Sequence, residues 1–179
     1  MQTLRINRAP VMTLWAVVVA ERLGYAHDEA LTLGRAVTGL NAYAKAKAVG
    51  LASAAERDAK RPEPRTRPAE RADSVGLLGR QVPVRRIKGS VRALAKDAAI
   101  APTSVERYLE AKFKESLPVF RTAMQKLAAS RSPDDLALEA YALYEKFRPR
   151  IPAGDAGWGK AGVLSVASIE GLALRRAVR

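Results

Sequence analysis

The sequence predicts a mainly α-helical fold, a compact assembly of several helices with one short extended element near residues 82–87. Alanine, the best helix former, occurs 34 times among the 179 residues. Apolar side chains recur at spacings of three and four over 31–44, which is typical of one face of a helix. Apolar and polar residues alternate over 82–87 as in a strand, and Pro83 predicts that this strand lies at a sheet edge.

Two helices are predicted at the start of the chain. The first spans about 10–23, with Pro10 in its first turn and Gly24 as its stop signal. Its apolar run is 12 residues long, whereas a membrane-spanning helix needs about 20, so a buried helix is expected. The second helix spans about 29–49, and Asp28 is its predicted N-cap.

Further helices are predicted in the second half of the chain. Short helices are expected over 91–99 and 105–116. Pro118 then interrupts or restarts the helix, which runs on to about residue 129. Ser132 precedes a proline and two aspartates, a combination of cap, first-turn proline and acids that is typical of a helix start. A last short helix is expected to begin near Ser168.

The positive charge of the chain is concentrated in one region. The whole sequence carries 31 basic and 18 acidic residues, a net charge of +13. Residues 57–92 contain 11 basic and four acidic residues, so more than half of the excess lies there. Three prolines and no large apolar side chain make 57–73 a linker or arm. Such a charge on a folded protein favours a polyanionic partner.

Residues 91–110, VRALAKDAAIAPTSVERYLE, resemble a helix-turn-helix DNA-binding motif. Ala95 is a small residue at the position where the two helices would cross. Ile100 would be the buried apolar residue of the turn, and Thr103 or Ser104 would cap the second helix. The resemblance implies that the second helix enters the major groove with its N-terminal residues at the base edges.

The resemblance also implies roles for individual side chains. Arg107 is expected to read guanine. Glu106 would either accept a hydrogen bond from cytosine or simply be an acid in the first turn of the helix. Thr103 and Ser104 suit contacts with phosphate. Seven basic residues around the arm and the extended element are expected to add phosphate contacts: Lys60, Arg61, Arg65, Arg67, Arg85, Arg86 and Lys88.

The chain is predicted to have four parts that fold together as one domain. These are an N-terminal helical part over 1–56, a basic linker or arm over 57–75, the helix-turn-helix-like part over 76–130 and a C-terminal helical part over 131–179. Both ends, LRINRAPVMTLWAVVVAERLGY and FRPRIPAGDAGWGKAG, also look similar to an uncharacterised bacterial protein family. That similarity implies a single co-folded unit and no particular chemistry.

Residue types argue against catalysis, cofactors and metals. The absence of cysteine excludes thiolate chemistry, and His27 as the single histidine excludes a multi-histidine site. Residues 154–161 have the glycine and lysine spacing of a phosphate-binding loop, but Ala161 replaces the Ser or Thr that would hold Mg²⁺. We therefore expect no enzyme activity, no cofactor and no metal.

The sequence thus predicts a non-catalytic protein that binds double-stranded DNA, as a transcriptional or architectural regulator. A helical interaction or scaffold protein and an RNA-associated basic protein are the alternatives. No membrane partner and a cytoplasmic location are expected. By analogy with symmetric DNA-binding dimers, the apolar first helix is a candidate homodimer interface.

Overall fold

A computed structural model describes residues 2–48, 73–95, 98–150 and 161–177. The basic segment 57–72 and most of the glycine-rich stretch 154–161 lie outside these residues. A 3₁₀ turn, Lys114–Ser116, joins two of the helices. The elements in chain order are β1 (Thr3–Asn7), α1 (Arg8–Arg22), α2 (His27–Ala48), β2 (Asp73–Leu77), β3 (Arg80–Ile87), β4 (Ser90–Ala95), β5 (Ala98–Ala99), α3 (Pro102–Phe113), α4 (Leu117–Ala129), α5 (Pro133–Phe147), β6 (Ala161–Ser165) and α6 (Val166–Ala177).

The fold mixes helices with two antiparallel sheets, so the prediction of a mainly α fold with one short extended element is wrong. One sheet pairs β1 with β6 and brings Asn7 opposite Ala161. The other has four strands in the order β2-β3-β4-β5, each next to its neighbour in the sequence. This four-stranded sheet occupies the region where the helix-turn-helix-like unit was expected.

The predicted first helix of that unit, 91–99, is instead β4 and β5. A two-residue turn forces this outcome. Lys88 and Gly89 both have positive φ, +50° and +78°, and join β3 to β4. Such turns have the twist of an antiparallel hairpin and do not lead into a helix. Val91 and Ala93 then alternate inward, so β4 is stabilised by packing on α2.

The strand around Pro83 is also not at a sheet edge, because β3 pairs with β2 on one side and β4 on the other. Pro83 is tolerated because it lies just beyond the end of the pairing between β3 and β4. The pairing of β3 with β4 begins at Val84, opposite Ala93, so no partner on that side faces the ring nitrogen of Pro83.

Helix α1 lies at the centre of the molecule. Every residue of 10–20 is buried, and α1 contacts α2, α3, α4 and α5. Gly34 of α2 permits the closest approach, because a Cβ there would lie 2.6 Å from Cγ2 of Val17. The suggestion that α1 offers a homodimer interface is therefore wrong, since its apolar surface is already covered within the chain.

The first two predicted helices and the start of α5 are confirmed. Ser132 Oγ accepts a hydrogen bond of 3.2 Å from the backbone N–H of Asp135, as its predicted capping role requires. Two other predicted caps are wrong. Helix α2 begins at His27, which places Asp28 inside its first turn, and α3 begins after Ala101 with no side-chain cap. Among the described residues, no helix is long and apolar enough to span a membrane.

Candidate nucleic-acid interface

Strands β3 and β4 with the Lys88–Gly89 turn form an antiparallel ribbon that we call the basic hairpin, residues 80–95. It carries no acidic residue. Its five basic residues are Arg80, Arg85, Arg86, Lys88 and Arg92. This hairpin is therefore a rigid, purely cationic element within the part of the chain that the structure describes.

The two faces of the basic hairpin differ sharply. Val82, Val84, Val91 and Ala93 lie on one face, and all four are buried. Both strands contact α2, so this face forms part of the core. Side chains alternate along a strand, and the opposite face therefore points away from the core. It carries Gln81, Pro83, Arg85, Ile87, Ser90 and Arg92, none of them buried, and also Leu94, which is buried at the end of β4 that pairs with β5.

Arg85 and Arg92 lie directly opposite each other on the outer face, because the strand register pairs their Cα atoms. Like charges in this position repel and destabilise an antiparallel pair. An anion near both guanidinium groups would remove that cost. Arg86 and Lys88, next to this pair along the chain, are exposed as well.

The arginines of the hairpin differ in how far their guanidinium groups are already hydrogen-bonded within the protein. Arg80 donates a hydrogen bond of 3.1 Å to Oδ1 of Asn41 and thereby ties β3 to α2. Arg92 Nη1 donates to Ser90 Oγ at 2.7 Å and to the Val91 carbonyl at 3.1 Å. These bonds hold one side of the Arg92 guanidinium in a fixed place, while Arg85 remains exposed.

Helix α2 holds the outer edge of β4 through two side chains. Glu29 Oε2 accepts from the Val91 N–H at 2.7 Å, and Thr32 Oγ1 accepts from the Ala93 N–H at 3.1 Å. The hydrogen bond from Val91, followed by one from Ala26, lowers the pKa of Glu29. An edge whose N–H groups are already bonded is protected from pairing with another strand. The hairpin is thus fixed in orientation on α2.

The residues expected to read bases lie on a different element, α3. Thr103 and Arg107 are exposed there. Ser104 is also exposed, and its hydroxyl donates to the Ala101 carbonyl at 2.7 Å. The structure therefore places Arg85, Arg86 and Lys88 on the hairpin, with Arg85 on its outer face and Arg86 opposite Val91 on the other face, whereas these α3 residues form a separate group.

Glu106, also on α3, takes part in an ionic cluster. Its carboxylate lies 3.3 Å from Nε2 of His27 and 3.4 Å from Nη2 of Arg121. The other ring nitrogen of His27, Nδ1, lies 3.1 Å from Glu21. A contact of Glu106 with cytosine would have to break this cluster, so its position favours a role in joining α1, α2, α3 and α4.

Four of the expected phosphate-binding residues, Lys60, Arg61, Arg65 and Arg67, lie outside the described residues. Arg92, by contrast, is a candidate that sequence reasoning missed. The signal was the Lys-Gly pair between two alternating segments, which predicts a hairpin and places Arg92 opposite Arg85.

Nothing in the described ranges suggests a metal centre, since no group of three or more His, Asp or Glu side chains could hold an ion there. Comparisons with protein-family models, with curated proteins and with solved structures find no match to this chain. The candidate interface therefore depends on the geometry and charge of the chain itself.

Proposed function

We propose that this protein binds nucleic acid without catalysis, that the preferred partner is double-stranded DNA, and that the basic hairpin is the contacting element. The observation that carries the proposal is the Arg85–Arg92 pair, two like charges directly opposite on the outer face of a sheet. Like charges directly opposite each other disfavour strand pairing, and phosphates near them would relieve that repulsion. Glu29 of α2 already attracts Arg92 and Arg86, and we expect it to offset only part of the repulsion. The helix-turn-helix has no part in the proposal, because its first helix is a strand.

The shape of the basic hairpin supports a duplex partner. The major groove of B-DNA is about 12 Å wide and admits a two-stranded β-ribbon. The core-facing side of the hairpin is fixed on α2, so the outer face would meet the groove as a rigid unit. The basic segment 57–72 directly precedes β2 in the sequence. It carries five arginines, one lysine and three acidic residues.

The proposal fits a transcriptional or architectural regulator in the cytoplasm. Arg85 and Arg86 have the geometry for guanine or phosphate, since a guanidinium donates two parallel hydrogen bonds. A purely architectural protein would use the same residues on phosphates alone. A regulator that reads bases would prefer particular DNA sequences, whereas an architectural protein would bind all sequences about equally.

The first test is binding of the full chain to a labelled 20-base-pair duplex at several salt concentrations. Two double variants with the same charge change are compared. R85A/R92A alters the hairpin, and R5A/K126A removes two exposed charges on β1 and α4. Loss of two phosphate contacts should reduce the slope of log K against log salt by about 1.8 in the hairpin variant only.

The outcomes distinguish the remaining interpretations. Equal weakening in both double variants would mean that net charge, and not the hairpin, causes binding. Competition by structured RNA at lower concentration than duplex DNA would favour the RNA-associated alternative. No binding to either polymer would overturn the proposal and favour a helical interaction or scaffold protein. A randomised duplex library, sequenced after selection, then shows whether any base is preferred.

A further inference from the structure

A cleft between α5 and α6 lies apart from the basic hairpin in the chain and has a different character. Its volume is about 300 Å³, at the lower end of the range for small-molecule sites. Three basic residues, one acidic residue and three apolar residues line it: Arg131, Lys146, Arg175, Glu139, Ala142, Leu143 and Leu172.

Arg131 forms the buried part of this cleft. Only 8% of Arg131 is exposed, which is unusual for an arginine. Its Nη1 donates to the Leu172 carbonyl at 3.1 Å and to Ser130 Oγ at 2.6 Å, so the side chain is fixed. The buried Nε–H of Arg131 makes no hydrogen bond with the described residues. It forms a long ion pair with Glu139, whose Oε2 lies 3.5 Å away.

The guanidinium of Arg131 contributes one positive charge to the lining, and charge-assisted hydrogen bonds to a carboxylate are strong. Lys146 and Arg175 are exposed at the same cleft and add two further positive charges. The lining residues carry three positive charges and one negative charge. Leu143 and Leu172 are both buried, and they give the cleft an apolar wall beside these charges.

We infer that this cleft binds a small organic acid, with its carboxylate at Arg131, Lys146 and Arg175 and its apolar body against Leu143 and Leu172. A free inorganic anion would use only the charged half of the cleft. A neutral apolar molecule would use only the apolar half. An organic acid with a compact apolar body satisfies both halves. This site is independent of nucleic-acid binding and would give the protein a ligand of low molecular mass.

The experiment is calorimetric titration of the full chain with three probes: benzoate, benzyl alcohol and inorganic phosphate. Benzoate should bind, and benzyl alcohol, which has the same ring without the charge, should not. K146M/R175M keeps the apolar part of both side chains and removes their charges. It should weaken benzoate binding by about tenfold or more. The control K112M/K126M removes two exposed charges elsewhere and should leave the affinity unchanged.

Thermal unfolding of both double variants checks that they fold. Absence of benzoate binding, or equal affinity in K146M/R175M and the unaltered chain, would overturn the inference. Inorganic phosphate that binds as tightly as benzoate would also overturn it, because the apolar wall would then contribute nothing. None of these results depends on DNA, so they leave the function proposed for the hairpin separately testable.

Discussion

The carboxylate of Glu29 accepts a 2.7 Å hydrogen bond from the backbone N–H of Val91, so the first turn of α2 holds the outer edge of β4. The second carboxylate oxygen accepts from the N–H of Ala26 at 2.9 Å and caps the same helix. One side chain therefore stabilises both the start of a helix and the position of the basic hairpin.

Replacement of Glu29 by Gln should make stability less dependent on pH. The hydrogen bond from Val91 and then that from Ala26 lower the folded-state pKa of Glu29 below its unfolded value. The resulting stabilisation is fully present above the unfolded pKa, about 4.3, and is lost as the pH falls through the folded pKa. At pH 7 we expect E29Q to be less stable by about 1 kcal/mol in urea unfolding.

The difference between E29Q and the unaltered chain should therefore shrink between pH 6 and pH 3. E110Q is the matched control, since Glu110 is exposed on α3. A difference that stays constant over this range would contradict the role given to the Glu29 carboxylate.

Gly34 and Gly39 provide a test of the packing of α1 against α2. A Cβ at Gly34 would lie 2.6 Å from Val17 Cγ2 and 2.7 Å from the Thr13 carbonyl oxygen, whereas one at Gly39 would meet nothing within 4 Å. G34A should destabilise the protein by about 1–3 kcal/mol through overpacking. G39A should stabilise it by about 0.5–1 kcal/mol, because alanine is the better helix former. Thermal unfolding measures both, and equal effects would refute the close crossing.

The hydroxyls of Thr13 and Thr38 lie 2.6 Å apart in the buried contact between α1 and α2. Each hydroxyl is also near a carbonyl of its own helix, that of Ala9 or Gly34. Each single variant, T13V or T38V, should lower the free energy of unfolding by about 1 kcal/mol, as for a typical buried hydrogen bond. The loss in the double variant T13V/T38V should be smaller than the sum of the two single losses by about 0.5–1 kcal/mol. Additive costs in a urea double-mutant cycle would mean that the two hydroxyls do not interact.

Arg85→Thr should separate stability from binding. Threonine suits a strand and ends the repulsion with Arg92, so stability should stay the same or rise by about 0.2–1 kcal/mol. Affinity for duplex DNA should fall at the same time. Thermal unfolding and fluorescence anisotropy measure the two effects. A variant that loses stability and keeps its affinity would show that the arginine is structural.

Helices could be predicted well because each signal lies within one segment. The run at 10–20 is apolar except for Thr13, and it forms part of α1, where every one of these residues is buried. Ser132 with its proline and acids marks the start of α5. The pairing of β1 with β6 could not be predicted in this way, because it joins segments at opposite ends of the described chain. No local pattern encodes such a contact.

The candidate interface was only partly visible in the sequence. Charge alone pointed to Arg85, Arg86 and Lys88. The alanines around Leu94 suit a helix, and this local preference concealed β4. The register set by the Lys88–Gly89 turn outweighs that preference. Only this register shows that Arg92 belongs beside Arg85.

The burial of α1 has a consequence for the order in which the protein folds during synthesis. Helix α1 leaves the ribosome early, but Trp15 donates its indole N–H to the carbonyl of Ala140 in α5, 2.9 Å away. Helix α2 covers one side of α1 at once, but the surface that α4 and α5 contribute is made much later. We expect nascent chains to expose an apolar helix until α5 has emerged, which makes them good substrates for chaperones. The core around α1 would then be completed only after α5 has packed against it.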